Sequence, residues 1–280
     1  MSEQQTDIKD RNARRKKIIG WSKAIIIFYC SIGIALYYLQ EKFMFHPETL
    51  PTDYQFKFST PFRELSIPMN KTDTINIVQF LPPSGVAKGV VLYFHGNRGN
   101  INRYAKYAVN FTKNDYQVWM IDYPGYGKST GKLTEESLYK QALELYKLAN
   151  SKFSGDSIIL YGKSLGSGIA AFVASKKINK RLILETPYYS MTDLFHHYAP
   201  VYPTGRMGKF KIPTFLYLSG TRSPITIFHG TDDGVVPYAN GSKLKRSLKK
   251  GDEFVTIQGG SHNTLNDFER YHAKLDSLLQ

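Results

Sequence analysis

The chain predicts an α/β fold, a mostly parallel central sheet flanked by helices, with a short lid and an N-terminal transmembrane helix. Three observations lead there. From residue 60 onward, short apolar runs alternate with segments of helical period, the pattern of strands joined by crossover helices. Several of these runs end in turns rich in Gly, Ser, His and Asp. Ahead of them, Arg11, Arg14, Arg15, Lys16 and Lys17 precede an apolar stretch, 18–39, whose only charge is Lys23.

At 280 residues, 42% hydrophobic and 21% charged, the chain has room for one sizeable domain plus a tail. It divides into a basic tail (1–17), a transmembrane anchor (18–39), a connector (40–59) and a globular domain (60–280). At ~1.5 Å per residue the anchor is long enough to cross a bilayer. Lys23 can snorkel to the basic end, and Trp21, Tyr37 and Tyr38 suit the headgroup belts. No small-x-small pair follows the apolar region, so the segment reads as a retained signal anchor. The basic cluster predicts a cytoplasmic N-terminus and places the domain on the far side of the membrane. The connector opens on Gln40 to Pro47, mixed aromatic and polar, which suits either the bilayer surface or packing against the domain.

Within the domain, Glu64 to Ile67 and Thr74 to Phe80 form an antiparallel opening pair. Strands then begin at Gly89, Gln117, Ser157, Arg181, Ile225 and Glu253, and helices are expected over 101–113, 133–152, 165–177, 238–249 and 264–279. Thr134, Glu135 and Glu136 make a strong helix start, with acidic residues on the positive end of the dipole. Residues 185–223 form the lid. Pro187, Tyr188, Tyr189, Met191, Phe195, Tyr198 and Tyr202 make it aromatic, suited to covering an apolar group or to packing on the sheet.

The chemistry concentrates at strand ends. The apolar run Ser157 to Tyr161 meets Gly162-Lys163-Ser164-Leu165-Gly166, a G-x-S-x-G nucleophile elbow in which glycines two positions before and after the serine let the chain pass close by. Ser164 is the candidate nucleophile, with Gly162 and Gly166 as the elbow glycines. The strand from Ile225 runs into His229-Gly230-Thr231-Asp232-Asp233, and the strand from Glu253 into Gly259-Gly260-Ser261-His262, so the order Ser, Asp, His is that of an α/β-hydrolase triad. Gly89 to Phe94 ends in His95-Gly96-Asn97-Arg98-Gly99. We assign the oxyanion donors to the backbone N–H groups of Asn97 and Leu165, since negative charge develops on the former carbonyl oxygen.

These four motifs, with Asp122-Tyr123-Pro124-Gly125-Tyr126-Gly127-Lys128-Ser129, make residues 60–280 resemble the alpha/beta-hydrolase superfamily. The His-Gly-Asn loop, the Asp-Tyr-Pro-Gly-Tyr-Gly stretch and the anchor are similar to its small membrane-anchored branch, kin to lysophospholipid lipases and protein depalmitoylases. The resemblance implies an acyl or lipid-like substrate, ester or thioester hydrolysis through an acyl-enzyme, and no cofactor. Its H-G-x-x-D pattern favours Asp233 over Asp232 as the partner of His262. A peptidase of the same fold is the alternative.

Other classes fit less of the chain. The net charge of +14 raises nucleic-acid binding, yet the basic residues are spread out and no recognition motif appears, so an anionic membrane surface suits it better and no nucleic acid is expected. The single cysteine, Cys30, supports no disulfide framework. The seven histidines offer no H-E-x-x-H, and no metal site is expected. His95 and His229 read as loop-tying residues. Gly166-Ser167-Gly168-Ile169-Ala170-Ala171, followed by Glu185, matches a dinucleotide fingerprint but leaves Ser164, Asp233 and His262 without a role. Gly127-Lys128-Ser129 and Gly162-Lys163-Ser164 lack the earlier glycine of a P-loop. An inactive membrane scaffold is the remaining alternative.

Overall fold

The computed structural model describes residues 2–280, apart from the side chains of residues 2–6 and 10. Met1, the first residue of the expected basic tail, lies outside the described residues. The chain divides into two compact units, Met1–Met44 and Phe45–Gln280.

The first unit is one helix, α1 (Ser2–Met44). The sequence reading separates tail, anchor and connector, but helix runs through all three to Met44. The reason is local: no proline occurs before Pro47, and an isolated glycine such as Gly20 is tolerated in a helix at a cost of about 1 kcal/mol. Ile18, Trp21, Ile25, Ile26, Ile27, Phe28 and Ile34 are all exposed, and the helix is long and apolar enough to cross a membrane.

The second unit is built on a mixed sheet. Among the described residues its strands are β1 (Phe62–Pro68), β2 (Thr74–Phe80), β3 (Gly89–Phe94), β4 (Tyr116–Ile121), β5 (Ile158–Lys163), β6 (Arg181–Glu185), β7 (Ile225–Gly230) and β8 (Glu253–Ile257). Their order across the sheet is β1-β2-β4-β3-β5-β6-β7-β8. β2 is antiparallel to both β1 and β4, and every later neighbour pair is parallel. β3, β5 and β7 are buried along their whole length, as continuous apolar runs covered on both faces must be. The helices α2 (Glu135–Asn150), α3 (Leu165–Lys176), α4 (Met191–Tyr198) and α5 (Glu269–Leu279) complete the layers. α2 starts in a reciprocal capping box between Thr134 and Ser137.

Three expected helices come out shorter or broken. Residues 101–113 form short turns, Ile101–Tyr104, Ala105–Tyr107 and Val109–Thr112. The tightened middle turn keeps Ile101, Tyr104, Ala105, Ala108 and Phe111 in the core cluster. Over 238–249 an α-turn, Tyr238–Gly241, passes into the 3₁₀ stretch Ser242–Ser247. Gly241 lies so close to the His229 ring that any Cβ there would overlap it, so close packing overrides helix propensity. The last helix starts at Glu269, after a 3₁₀ turn at Leu265–Asp267.

The connector is also more than a linker. The compact unit begins at Phe45, ahead of the expected boundary at 60. His46–Pro47 pairs with Arg98–Gly99, the amide of Gly127 donates to the Glu48 carbonyl (2.9 Å), and that of Leu50 donates to the Gly127 carbonyl (2.8 Å). Phe56 is buried, stacked on Phe58, which packs in turn against Phe62 and Phe80. These aromatic residues were the available signal: a run of apolar rings after a proline gains most by joining the core.

The sheet positions the site through one turn. β5 hands over to α3 at Ser164, whose φ of 51° and ψ of −116° are costly for a non-glycine residue, on the order of 1–3 kcal/mol. The turn is possible because its flanks lack side chains. A Cβ on Gly162 would lie 2.6 Å from Ser167 Cα, and one on Gly166 would overlap the backbone carbonyl of Phe94. Gly166→Ala should therefore destabilise by about 1–3 kcal/mol or more, because the obstruction is main chain and cannot move aside. Gly205, in the short turn Thr204–Met207, faces open space, and Gly205→Ala should be neutral or stabilising by up to ~1 kcal/mol. Urea unfolding of the two variants checks this opposition of sign.

Candidate active site

At the elbow, the Ser164 amide donates to the Glu185 carbonyl (2.9 Å), tying the main chain of Ser164 to the end of β6. Its hydroxyl lies 2.9 Å from His262 Nε2. On the other side of the ring, Nδ1 lies 3.0 and 2.8 Å from the two oxygens of Asp233. A carboxylate can only accept, so Nδ1 carries the proton and donates, leaving Nε2 to accept from Ser164. All three residues are buried.

Asp233 sits in the turn after β7, where the amides of Val235 (2.9 Å) and Val236 (2.8 Å) donate to its Oδ1. Burial alone would raise its carboxyl. The hydrogen bond and charge of His262, with the two amides, outweigh that and hold it below the usual carboxylate range. Asp232 is exposed, and its side chain accepts from the neighbouring Thr231 hydroxyl (2.8 Å). His229 is fully buried, its Nε2 donating to the Val236 carbonyl (2.9 Å) and lying 3.5 Å from Asp233 Oδ2. Burial lowers its affinity for a proton, so it braces the turn as a neutral ring.

The loop after β3 passes directly beside the serine: a Cβ on Gly96 would lie 3.7 Å from that of Ser164 and 2.7 Å from the Tyr104 hydroxyl. The Asp-Tyr-Pro-Gly-Tyr-Gly stretch clamps this loop. Tyr123 donates to the His95 carbonyl (2.8 Å), and Tyr126 donates to the Asn97 carbonyl (2.9 Å). The His95 ring stacks on Tyr104 and lies 3.2 Å from Asp122 Oδ1, which accepts from the Ile101 amide (3.0 Å). Burial raises the Asp122 carboxyl despite its His95 neighbour, and it pushes the Tyr104 hydroxyl up to about 12. Leu165 opens α3, so its N–H belongs to the first turn, whose amides have no intrahelical acceptor.

The aromatic lid residues divide. Tyr188, Met191 and Tyr202 are buried, Tyr188 donating to the Leu165 carbonyl (3.1 Å). Tyr189 stacks on Phe215 at 4.5 Å. Tyr198 is exposed on α4, and its hydroxyl donates to the Val235 carbonyl (2.7 Å), leaning the lid on the turn that carries Asp233.

The dinucleotide reading has no space. A Cβ on Gly168 would overlap Ile212 and the Tyr188 hydroxyl, so no pyrophosphate can approach the helix there. The Glu185 carboxylate is occupied by Lys163, Tyr161 and Tyr271. That buried cluster is what sequence reasoning missed. Its signal was present, since a lysine and a glutamate at the ends of apolar runs need partners when buried. Among the described residues no group of three or more His, Cys, Asp or Glu side chains could hold a metal ion.

Comparison with known proteins agrees with this architecture. A family profile described as serine aminopeptidase, S33, matches residues 85–212. The chain is 27% identical over 205 residues to human alpha/beta hydrolase domain-containing protein 17B, covering 72% of this chain and 68% of that protein. It is 26% identical over 203 residues to protein 17C of Xenopus tropicalis, where the match spans 71% of this chain but only 64% of the relative's length. Among solved structures, an esterase of Pyrococcus furiosus superposes with a TM-score of 0.64 at 16% identity, covering 84% of this chain and 97% of that one. A cold-adapted esterase from an Arctic intertidal metagenomic library gives 0.61 at 16% identity, covering 82% and 97%. Strand order and structural neighbours give the chain the alpha/beta-hydrolase fold, and its sequence is similar to those of alpha/beta hydrolase domain-containing proteins.

Proposed function

We propose that the site hydrolyses carboxylic esters or thioesters of acyl or lipid-like substrates through an acyl-enzyme on Ser164. The observation that carries the reading is the unbroken row from Ser164 Oγ through His262 to Asp233, buried and held by hydrogen bonds at 2.8–3.0 Å. His262 Nε2 takes the hydroxyl proton as Ser164 Oγ attacks the carbonyl carbon, and the tetrahedral oxyanion rests on the backbone N–H groups of Asn97 and Leu165. The intermediate collapses by expelling the alcohol or thiol, which takes the proton from His262. Water, deprotonated by the same ring, then releases the acid. Asp233 keeps the ring in the tautomer that can accept, and stabilises it once charged.

The esterases among its structural neighbours, and the resemblance of its motifs to the membrane-anchored branch kin to lysophospholipid lipases, support an acyl substrate. The family profile's description, serine aminopeptidase, favours a second reading, cleavage of peptide bonds by the same residues. In our reading α1 anchors the chain in the bilayer with its N-terminus in the cytoplasm and the hydrolase unit on the other side, as its length, exposed apolar surface and basic start support. Carbonate extraction of membranes should then leave the full chain in the pellet, and release into the supernatant would remove the anchor.

Ser164→Ala should abolish turnover of a short-chain p-nitrophenyl ester and labelling by a fluorophosphonate, with the melting temperature kept. A preference for acyl-peptide amides over all esters would favour the peptidase.

Asp233→Asn should lower kcat by about 10⁴, because an amide beside Nδ1 favours the wrong tautomer. Asp232→Asn should stay near wild type, and the reverse outcome would move the orienter by one residue. The same carboxylate links stability to pH. Its depressed folded value means that its contribution is fully present above the unfolded value of ~3.9 and is lost as pH falls through the lower folded one. The gap in melting temperature between wild type and Asp233→Asn should therefore shrink as pH is taken from ~5 down to ~3.

A further inference from the structure

Beneath the site lies a buried polar cluster that the hydrolytic steps leave unused. Lys163, immediately before the nucleophile, is almost fully buried, and so is Glu185 at the end of the neighbouring strand. The register sets the two side by side, and the Lys163 ammonium donates to Glu185 Oε1. The other carboxylate oxygen accepts from the hydroxyl of Tyr161 on β5 and, at 3.3 Å, from that of Tyr271 on α5. The two phenols lie 2.8 Å apart. Burial first, and the charge of Glu185 second, hold both phenols well above their ordinary value, so both remain O–H donors. The cluster is thus a satisfied ion pair in the buried interior, where such a pair is weak evidence for stability by itself.

Its outward connections are what distinguish it. Lys163 Nζ also donates to the main-chain carbonyl of His262, 3.2 Å away. The main-chain carbonyl of Glu185 accepts the amide of Ser164. The ion pair therefore reaches the backbone of His262 through the Lys163 ammonium, while its two residues sit at the strand ends that carry Ser164. His262 itself lies in a glycine-flanked loop, Gly259 to Thr264, between β8 and the 3₁₀ turn before α5.

We infer that Lys163 and Glu185 are positioning residues that hold the His262 loop in register with Ser164. This rests on the triad reading above. Without the ammonium the His262 carbonyl loses its donor, the loop relaxes, and the 2.9 Å approach of Nε2 to Ser164 Oγ is no longer enforced. A misplacement of ~1 Å at a reacting centre costs about 10²-fold in rate. The effect should fall on chemistry and leave ester binding largely alone.

The test is the double variant Lys163→Met/Glu185→Gln in the full-length protein, which removes both charges together and so leaves neither buried unpaired. Wild type and Ser164→Ala are measured beside it on a short-chain p-nitrophenyl ester in detergent, with kcat of wild type and the double variant expressed per site titrated by a fluorophosphonate and the Ser164→Ala rate per mole of protein. The expected result is a kcat lower by about 10- to 100-fold, KM within about threefold, and a melting temperature close to wild type. If the double variant does not fold, Lys163→Arg is read the same way: it keeps a cation for Glu185 but moves the donor, because a planar guanidinium cannot occupy the place of the ammonium. A fall in kcat with KM held, in whichever variant folds, supports the inference. Wild-type kcat per titrated site overturns it, since an ion pair that only stabilises the fold would leave the titrated sites fully active. The two failures are distinguishable: if Ser164→Ala keeps wild-type turnover, the triad reading and this inference fall together, whereas a dead Ser164→Ala beside a fully active Lys163 variant removes the inference alone.

Discussion

The close approach of α3 to the end of β3 is the constraint on which the rest of the structure depends. The first turn of the helix presses against the Phe94 carbonyl, and this is possible only because position 166 has no side chain. That contact forces Ser164 into its strained backbone and brings the loop after β3 alongside it. A helix N-terminus, a serine hydroxyl and a loop of main-chain amides then share one small volume at the C-terminal edge of a parallel sheet, where open α/β sheets place their ligands. Local strain is held there by tertiary packing.

Around the elbow the structure answers a second physical demand, that charge removed from water be matched. Glu185 is met by a lysine and two phenols, Asp122 by an amide and a neighbouring imidazole, and Asp233 by two amides and an imidazole. Each group ties a loop to the sheet. Asp122 steadies the His95–Asn97 segment, Asp233 holds the His262 ring, and Glu185 holds Lys163, whose ammonium also donates to the His262 carbonyl. The environments differ in electrostatic outcome: burial wins at Asp122 and raises it, while hydrogen bonding wins at Asp233 and lowers it. The acid beside the His262 imidazole is thus the one kept charged.

Segments that look peripheral in sequence prove to be parts of the frame. The stretch after Met44 zips along the loop at Arg98–Gly99 and along Gly127, so the clamp on the loop beside Ser164 has a further layer of chain against it. The lid is likewise fastened at several points. Glu135 accepts from the amides of Lys211 and Ile212, Asn240 bridges Tyr189 and Asp193, and Tyr198 rests on the turn of Asp233. Much of its aromatic surface is spent in packing, with Tyr188, Met191 and Tyr202 buried and Tyr198 exposed.

Sequence by itself determined the alternation of strands and helices, the elbow, the chain order of Ser164, Asp233 and His262, and an apolar N-terminal helix. Those features are local: a hydrophobic period, a glycine spacing or a carboxylate in a turn is written in consecutive residues. It could not determine how the segments 101–113 and 238–249 break, or that residues 45–59 join the core, because in each case packing from distant residues overrides propensity. Nor could it pair Lys163 with Glu185, 22 positions apart, or bring Lys163 beneath the carbonyl of His262. Strand register decides the first of these and the path of the loop after β8 decides the second. Both exist only once the sheet has assembled, because a lone buried charge has no stable place until its partner arrives with the neighbouring strand.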